Sequence, residues 1–309
     1  MRPRFERARR RLLASSAALG VIAACARAGP SPSAIEPGRL PTTFYAGGPD
    51  CAGTPPLQVH AYNADVFILR QAACTNFEKP FLYLVFGHDK VLLLDTGAQR
   101  VDVATPVDTL IRAWLARHNR AADSIHLLVA HSHAHGDHVA GDSQFVRRSA
   151  TTIVGRDTAS VRAFFGIAHW PTDRATIDLG GRVLDVLAIP GHQAASIAIY
   201  DRRTGVLLTG DTFYPGRLYV RDTAAFAQSI DRLTDFARTH PVTQLLGAHI
   251  ENTATPYRDY PEGTVDQPNE HALALYPRQL FELDSVVRTM RGRMTRTALR
   301  DVTIWPVMP

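Results

Sequence analysis

The stretch of the chain whose residues are most able to carry out chemistry is HSHAHGDH, from His131 to His138. It holds four histidines and one aspartate in eight positions. An apolar core would have to supply a hydrogen-bond partner for every ring nitrogen that it buried, and an exposed loop has no need of so much imidazole. Alternate residues of an extended segment point the same way, so His133 and His135 can bind one ion together. A turn would direct Asp137 and His138 to another point. The spacing therefore fits two metal ions better than one.

Three later residues add candidate ligands, each at the end of an apolar run that predicts a strand. They are His192 in IPGHQ, Asp211 in LLTGDT and His249 in LLGAH. Loops that leave the strands of a rigid frame commonly carry ligands and catalytic groups. We expect these side chains to meet the HAHGDH segment at one edge of a sheet.

The motifs HAHGDH, PGH, GDT and GAH, in this order and with LLLDTG upstream, resemble those of the metallo-β-lactamase superfamily over about residues 60–250. The resemblance implies an α+β fold, the αββα four-layer sandwich, with two mixed β-sheets face to face and helices outside. It also implies a role for each motif residue. By position, the first metal would be bound by His133, His135 and His192, and the second by Asp137, His138 and His249, with Asp211 bridging the two ions and Asp95 of LLLDTG supporting a ligand without touching metal.

Imidazole and carboxylate ligands without thiolate suit Zn²⁺, and they also accept Fe or Mn. Two such ions can share a water and lower its pKa from about 15.7 towards 7, and they can polarise a carbonyl or phosphoryl oxygen. We therefore expect hydrolysis through a metal-bridged hydroxide, without a nucleophilic side chain. Asp137 is the candidate to orient the hydroxide and to pass its proton to the leaving group. His131 fits no ligand position, and we expect a supporting or surface histidine there.

The shared ligands do not choose among thioesters, lactones, β-lactams and phosphoesters. Zinc β-lactamases usually have Cys or Ser at the position of Asp211, and the flavodiiron redox branch has Glu at that of His135. Glyoxalase II matches the full ligand set but appends a helical domain, whereas only about 60 residues follow His249 here. We expect a small ester, lactone or thioester as substrate. The alternatives are a periplasmic metallo-β-lactamase and a mononuclear iron sulfur dioxygenase, which would leave Asp137, His138 and His249 without metal.

The walls of the substrate pocket are predicted from neighbours of the motifs. Tyr214, Arg217 and Tyr219 follow GDT, and Glu251 lies two residues past His249, on the same side if the strand continues. The alternative role for such residues is packing.

Short apolar runs of the kind found in β-strands predict the strands that hold these loops. They cover residues 65–70, 81–87, 91–97, 124–130, 151–155, 183–191, 244–249 and 301–307, with a hairpin turning at residues 202–205. Amphipathic patterns predict helices at residues 105–118, 223–240 and 277–293. In the first of these, Thr105 is the expected N-cap and Pro106 suits the first turn.

The net charge of +5 is confined to the start of the chain. Residues 1–25 hold six arginines and one glutamate, and the rest of the chain carries equal numbers of acidic and basic residues. No basic field remains to attract nucleic acid, so the expected partner is a small-molecule substrate.

The arginines precede the apolar run LLASSAALGVIAA, which is too short to span a bilayer but typical of a secretory signal. IAAC, ending at Cys25, resembles a lipobox, whereas ARA at residues 26–28 fits ordinary cleavage. We expect an exported, periplasmic protein whose only membrane contact is this signal or a lipid anchor in the outer membrane. The predicted organisation is a signal at residues 1–25, a flexible tether and lead-in at residues 26–56, and a hydrolase domain at residues 57–309. Cys51 and Cys74 can pair as a disulfide in that compartment or stay as free thiols.

Overall fold

The apolar runs of the first half of the chain form one mixed β-sheet. The structure is a computed structural model that describes residues 34–44, 47–48 and 50–307, so the predicted signal lies outside the described residues. The strands of this sheet are β1 (Leu57–Ala61), β2 (Val66–Gln71), β3 (Phe81–Phe86), β4 (Lys90–Leu94), β5 (His126–Ala130) and β6 (Thr151–Ile153). They lie side by side in chain order; β1 to β4 pair antiparallel, and β5 and β6 join in parallel.

The second half of the chain supplies a second mixed sheet of six strands and a smaller one of three. The strands are β7 (Arg174–Asp178), β8 (Val183–Ala188), β9 (Ile197–Asp201), β10 (Val206–Gly210), β11 (Arg217–Val220), β12 (Gln244–Gly247), β13 (Ala274–Leu275), β14 (Thr297–Ala298) and β15 (Thr303–Pro306). The large sheet has the order β13-β12-β10-β9-β8-β7, and the small one has the order β11-β15-β14. The hairpin predicted at residues 202–205 is confirmed, since β9 and β10 pair antiparallel around it.

Five α-helices occur in the described part of the chain. They are α1 (Ala104–Arg117), α2 (Gly136–Val139), α3 (Thr158–Phe165), α4 (Thr223–Thr239) and α5 (Pro277–Thr289), and a 3₁₀ turn at Ala140–Gln144 follows α2 directly. The prediction that Thr105 caps α1 is wrong, because the helix already begins at Ala104. The Asp102 carboxylate accepts the Thr105 N–H, and the Gln144 side chain accepts the N–H groups of Val103 and Ala104, so other residues satisfy the first turn.

Side chains on successive residues of a strand point to opposite faces, and this alternation builds the layers. In β3, Tyr83 and Val85 face the core between the two large sheets, whereas Leu84 and Phe86 pack with α1 on the outside. The outer face of the second sheet is covered by α4, α5 and the small sheet. The predicted αββα four-layer sandwich is confirmed.

The segment before β1 also packs against the sheets. Phe44 is only 6% exposed and lies in the core between them, and Arg39 donates its backbone N–H to the Tyr62 carbonyl. Cys51 and Cys74 form a disulfide with a Cα–Cα distance of 5.8 Å, which ties this lead-in to the loop after β2. Among the described residues, no helix is long and apolar enough to cross a membrane.

A buried arginine links the two large sheets. Arg182, 1% exposed, donates from Nε to the Asp201 carboxylate at 3.1 Å and makes a second bond to it from Nη2. Its Nη1 donates to the Phe86 carbonyl of the other sheet at 3.1 Å. A buried carboxylate that loses its cation is strongly destabilising, so this contact constrains how the sheets dock.

We expect Arg182→Ala to lower the free energy of unfolding by about 3–5 kcal/mol, because Asp201 would stay buried without its cation. Urea unfolding followed by circular dichroism measures this. The matched control is Arg203→Ala: Arg203 is 38% exposed and 3.6 Å from Asp65, and its loss should cost less than about 1 kcal/mol. Equal losses in the two variants would contradict the role given to Arg182.

Candidate metal centre

The candidate ligands come from the ends of four strands. His133, His135, Asp137 and His138 follow β5, His192 follows β8, Asp211 follows β10 and His249 follows β12. Backbone hydrogen bonds hold these loops together: Ile197 N–H donates to the Ser132 carbonyl at 2.8 Å, and Ala248 N–H to the Gly210 carbonyl at 3.0 Å. The edge of the sandwich is thus a rigid frame for the side chains that project from it.

The turn into Asp211 needs a glycine. Gly210 has a φ of +51°, and a Cβ there would lie 2.7 Å from the Cβ of Ser132. A larger residue would be strained in its backbone and would also collide with the loop that carries the histidines.

The first cluster consists of His133, His135 and His192. The Nδ1 of His135 lies 3.0 Å from the Nε2 of His133 and 3.0 Å from the Nε2 of His192. Three ring nitrogens therefore converge on one point and could hold one ion.

The second cluster consists of Asp137, His138, Asp211 and His249. Asp137 Oδ2 lies 3.0 Å from the Nε2 of His138 and 3.2 Å from the Nε2 of His249, and those two nitrogens are 3.4 Å apart. This arrangement could hold a second ion.

Asp211 lies between the two clusters and turns one oxygen to each. Its Oδ1 is 3.4 Å from His138 Nε2 and 3.3 Å from His249 Nε2 in the second cluster. Its Oδ2 is 3.7 Å from His133 Nε2 and 3.5 Å from His192 Nε2 in the first. The geometry is that of a carboxylate placed to bridge two ions.

The ring nitrogens that face away from the clusters have acceptors, which sets the tautomers. His192 Nδ1 donates to the Tyr219 carbonyl and His249 Nδ1 to the Glu78 carbonyl, both at 2.8 Å, and His138 Nδ1 donates to Asp95 Oδ2 at 2.9 Å. When such a ring is neutral, a proton on Nδ1 leaves its Nε2 unprotonated and facing the cluster, as a metal ligand requires.

Asp95 orients His138 and is itself held in place by Ser132. Its φ of +69° is uncommon for a residue with a side chain, and its carboxylate accepts the backbone N–H and the hydroxyl of Ser132 at 2.7 and 2.8 Å. It touches no other member of the clusters by hydrogen bond, so its position is that of the predicted support for His138.

The donor set fits divalent cations. Asp211 Oδ1 is buried and accepts no hydrogen bond, although it faces two imidazole nitrogens. Burial would raise the pKa of the Asp211 carboxyl, but the surrounding His249, His138 and His133 hold that pKa well below its usual range. Burial lowers the pKa of His133 well below its ordinary value, so that ring is neutral, as a ligand must be.

His138 and His249 behave in the opposite way. Burial would lower the pKa of both imidazoles, but the Asp211 and Asp137 carboxylates raise it well above the ordinary value. Positive charge is therefore stabilised beside these two nitrogens, where either a proton or a metal ion can supply it.

The four predicted pocket residues line one cavity of about 260 Å³ together with His135, Asp137, His192, Asp211 and His249 of the clusters. Tyr214 is buried, and its hydroxyl lies 3.2 Å from Glu251 Oε2 and donates to the Arg217 carbonyl. Arg217 in turn pairs with Glu251 at 3.2 Å and with Asp259 at 2.8 Å. Tyr219 is half-buried beside them, so packing among these residues accompanies their place in the wall.

The remaining wall of this cavity is formed by residues that the sequence did not predict. Phe77, Glu78 and Lys79, from the loop after β2, line it, as does Arg221. Arg221 could have been found, because it continues the period-two pattern of Arg217 and Tyr219. No motif marked the loop, whose place depends on the fold.

His131 joins neither cluster. It is 5% exposed, which excludes the surface role and leaves the supporting role of the two expected for it, and its Nε2 lies 2.8 Å from Asp142 Oδ1. Asp142 also accepts from the Thr96 hydroxyl and from Arg156. His131 thus belongs to a polar group outside the two clusters, which Thr96 links to the His138 carbonyl at 3.2 Å.

The chain is similar in sequence to known proteins. The sequence profile described as "Metallo-beta-lactamase superfamily" matches residues 77–249, more than half of the chain. The chain belongs to the metallo-β-lactamase superfamily. Within this superfamily, a relative named hydroxyacylglutathione hydrolase from Ectopseudomonas mendocina is 30% identical over 146 residues, covering 46% of this chain and 54% of that protein.

The chain is also similar to two further proteins. The "Acyl-coenzyme A thioesterase MBLAC2" of Bos taurus is 27% identical over 221 residues, covering 60% of this chain and 78% of that protein. The structure of a metallo-β-lactamase from Pontibacter korlensis is similar with a TM-score of 0.48 and 16% identity, over 75% of this chain and 99% of that one. The chain spans about half the length of the hydroxyacylglutathione hydrolases that it matches.

We expect Asp211→Ala to reduce the bound metal from two equivalents to one or fewer, since two dications repel and no other carboxylate of the clusters faces both. His131→Ala should keep two equivalents, although His131 lies in the densest part of the motif. Elemental analysis of both purified variants measures this. A His131 variant that loses metal beside an Asp211 variant that keeps both would refute the ligand assignment.

Asp95→Asn should weaken metal binding by about 10- to 100-fold, because the amide NH₂ would face a donor in either orientation. Titration against a competing chromogenic chelator gives the affinity. Asp142→Asn is the matched control, since Asp142 makes the same kind of bond to His131, which is no ligand. An unchanged affinity in Asp95→Asn would remove its supporting role.

Proposed function

We propose that this chain is a binuclear metal-dependent hydrolase that cleaves small acyl thioesters, with small esters and lactones as related substrates. The observation that carries the proposal is the position of Asp211, whose two oxygens face two separate clusters of ligands. His133, His135 and His192 would hold one ion, and Asp137, His138 and His249 the other. Nitrogen and oxygen donors without sulfur favour Zn²⁺.

When bound, the ions would supply Lewis acidity and an activated water. The protein's part is to position the reactants around them. Asp137 lines the cavity, and His138 and His249 outweigh the effect of burial and hold the pKa of its carboxyl well below the ordinary value. The ionised carboxylate can accept a hydrogen bond from the attacking water and relay its proton to the leaving group.

The cavity supports a small acyl substrate. Its volume of about 260 Å³ is just below the usual range of ligand pockets, and Phe77, Tyr214 and Tyr219 give it aromatic walls. Both named relatives are thioester hydrolases by name, which favours thioesters among the bonds that this ligand set can cleave. The carboxylate of Asp211 disfavours a periplasmic β-lactamase, because zinc β-lactamases usually have Cys or Ser there. The assembled second cluster disfavours a mononuclear iron dioxygenase, which would leave that cluster without metal.

We also infer that the protein is exported to the periplasm and held there by its signal or a lipid anchor. The Cys51–Cys74 disulfide supports this inference, because such bonds form and persist in oxidising compartments. Fractionation of cells that express the full chain, with and without Cys25→Ala, tests it; recovery of a reduced protein from the cytoplasm would refute it.

We expect the Zn²⁺-loaded protein to contain two equivalents of metal and to hydrolyse S-phenyl thioacetate, with kcat/KM at least about tenfold above that for a chromogenic cephalosporin. A panel that adds 4-nitrophenyl acetate and γ-butyrolactone ranks the bonds. Removal of metal by dipicolinate should abolish the activity, and added Zn²⁺ should restore it.

Two outcomes would contradict the proposal. One is preference for the cephalosporin, which would make the β-lactamase alternative correct. The other is a single iron per chain with oxygen consumption in the presence of a persulfide, which would make the dioxygenase alternative correct.

A further inference from the structure

Most cations in the cavity wall already have acidic partners. Lys79 is buried and donates to Glu270 Oε1 at 2.6 Å, and Arg217 is paired with Glu251 at 3.2 Å and with Asp259 at 2.8 Å. Such cations hold the wall together, and an incoming anion would have to displace their carboxylates. Neither is suited to bind a charged group of a substrate.

Arg221 is the exception among the cavity residues that the structure describes. Its guanidinium makes no hydrogen bond or ion pair with a described residue, and it is exposed to solvent. It lines the 260 Å³ cavity and also an adjoining groove, and His135 and Asp137 line both. A free cation therefore lies at the mouth of the metal centre, beside a ligand of each cluster.

The backbone of Arg221 is fixed, although its side chain is free. Its N–H and that of Asp222 both donate to the Gly191 carbonyl at 2.9 Å, one residue before His192. On the other side, the Asp222 carboxylate caps α4 by accepting the Ala225 N–H. The base of the arginine is thus held in register with a candidate metal ligand.

Two acidic residues, Glu78 and Glu262, also line the cavity, and neither forms an ion pair with another described residue. Glu78 lies in the field of the second cluster: burial raises the pKa of its carboxyl, and Asp137 raises it further. An internal pair between Arg221 and one of these carboxylates is the competing role for the arginine, and it would leave substrate charge without effect.

We propose that Arg221 is the specificity-determining residue that binds a carboxylate of the substrate, so that the enzyme prefers acyl compounds carrying a second, anionic carboxyl group. The inference rests on the proposed hydrolase function. A guanidinium can bind a carboxylate through two parallel hydrogen bonds, which gives orientation as well as affinity. Binding at the cavity mouth would leave the scissile carbonyl directed towards the clusters.

The test compares matched thioesters of the same length. S-phenyl thiopentanoate is neutral, the S-phenyl monothioester of glutaric acid carries the charge on its acyl part, and the pentanoyl thioester of 4-mercaptobenzoate carries it on the leaving group. For the charged substrate that the wild-type enzyme prefers, Arg221→Gln should raise KM by about 10- to 100-fold. KM for the neutral thioester should change less than about threefold, kcat for it should stay the same, and Arg221→Lys should restore part of the loss.

Arg147→Gln is the matched control, since Arg147 is also an exposed arginine with no described partner but does not line the cavity. Equal effects of Arg221→Gln on neutral and charged thioesters, or an effect on kcat alone, would overturn the proposal and favour an internal ion pair.

Binding of glutarate, measured by calorimetry on the metal-loaded protein, separates this inference from the proposed function. If no thioester is hydrolysed but Arg221→Gln still weakens glutarate binding tenfold or more, the hydrolase proposal fails and the anion site stands. If glutarate binds equally to the wild type, Arg221→Gln and Arg147→Gln, the anion site is refuted whatever the enzyme hydrolyses.

Discussion

The structure depends above all on one carboxylate, that of Asp211, held between two groups of imidazoles. Gathering that many ring nitrogens in a buried place makes sense only if positive charge occupies the space between them, and two cations a few ångströms apart repel strongly. A negative charge shared by both positions offsets that repulsion. Asp211 supplies it with one oxygen for each cluster, and Oδ1 has no hydrogen bond to satisfy it otherwise. The surrounding acceptors, Asp95 and the carbonyls of Glu78 and Tyr219, then fix the rings that face it.

The metal centre depends on how the two large sheets pack, because its ligands come from both halves of the chain. Four follow β5 in the first sheet, and three follow strands of the second, so the two sheets must dock in one register for the clusters to form. The buried Arg182 joins the sheets at the end of β3, where it donates to the Phe86 carbonyl. Beside the ligands, the Ile197 N–H joins them by donating to the Ser132 carbonyl. Precision at the metal centre is therefore a property of sheet packing and of short loops, rather than of the HAHGDH segment alone.

Much of this was predictable from sequence, for physical reasons. Long apolar runs such as those of β3, β4 and β5 are buried on both faces, and an apolar run followed by Asp or His is a strong local signal. β7 and β11 were missed because each is short and only partly apolar, and β11 is specified by its pairing with β15, 86 residues later. α3 is too short for its period to stand out. Side-chain N-caps come from Asp157 in α3 and Asp222 in α4, and not from Thr105 in α1. The sequence left open whether His131 is a supporting or a surface residue, because its partner, Asp142, lies in a turn that the sequence does not mark.

The cavity wall was the least predictable part, and the reason bears on specificity. An arginine beside a strand end can bind substrate only if no carboxylate that is distant in sequence pairs with it. Arg217 forms ion pairs with Glu251 and Asp259. Arg221 lies four residues later on the same face and pairs with neither. Residue type and spacing are the same for both, so no local pattern separates them. The loop from Glu251 to Glu262 neutralises the charge of Arg217 and leaves that of Arg221 unpaired. The charge that a substrate meets is thus decided by tertiary pairing, while the bond-breaking centre is decided by motifs, which is how one ligand set can serve many substrates.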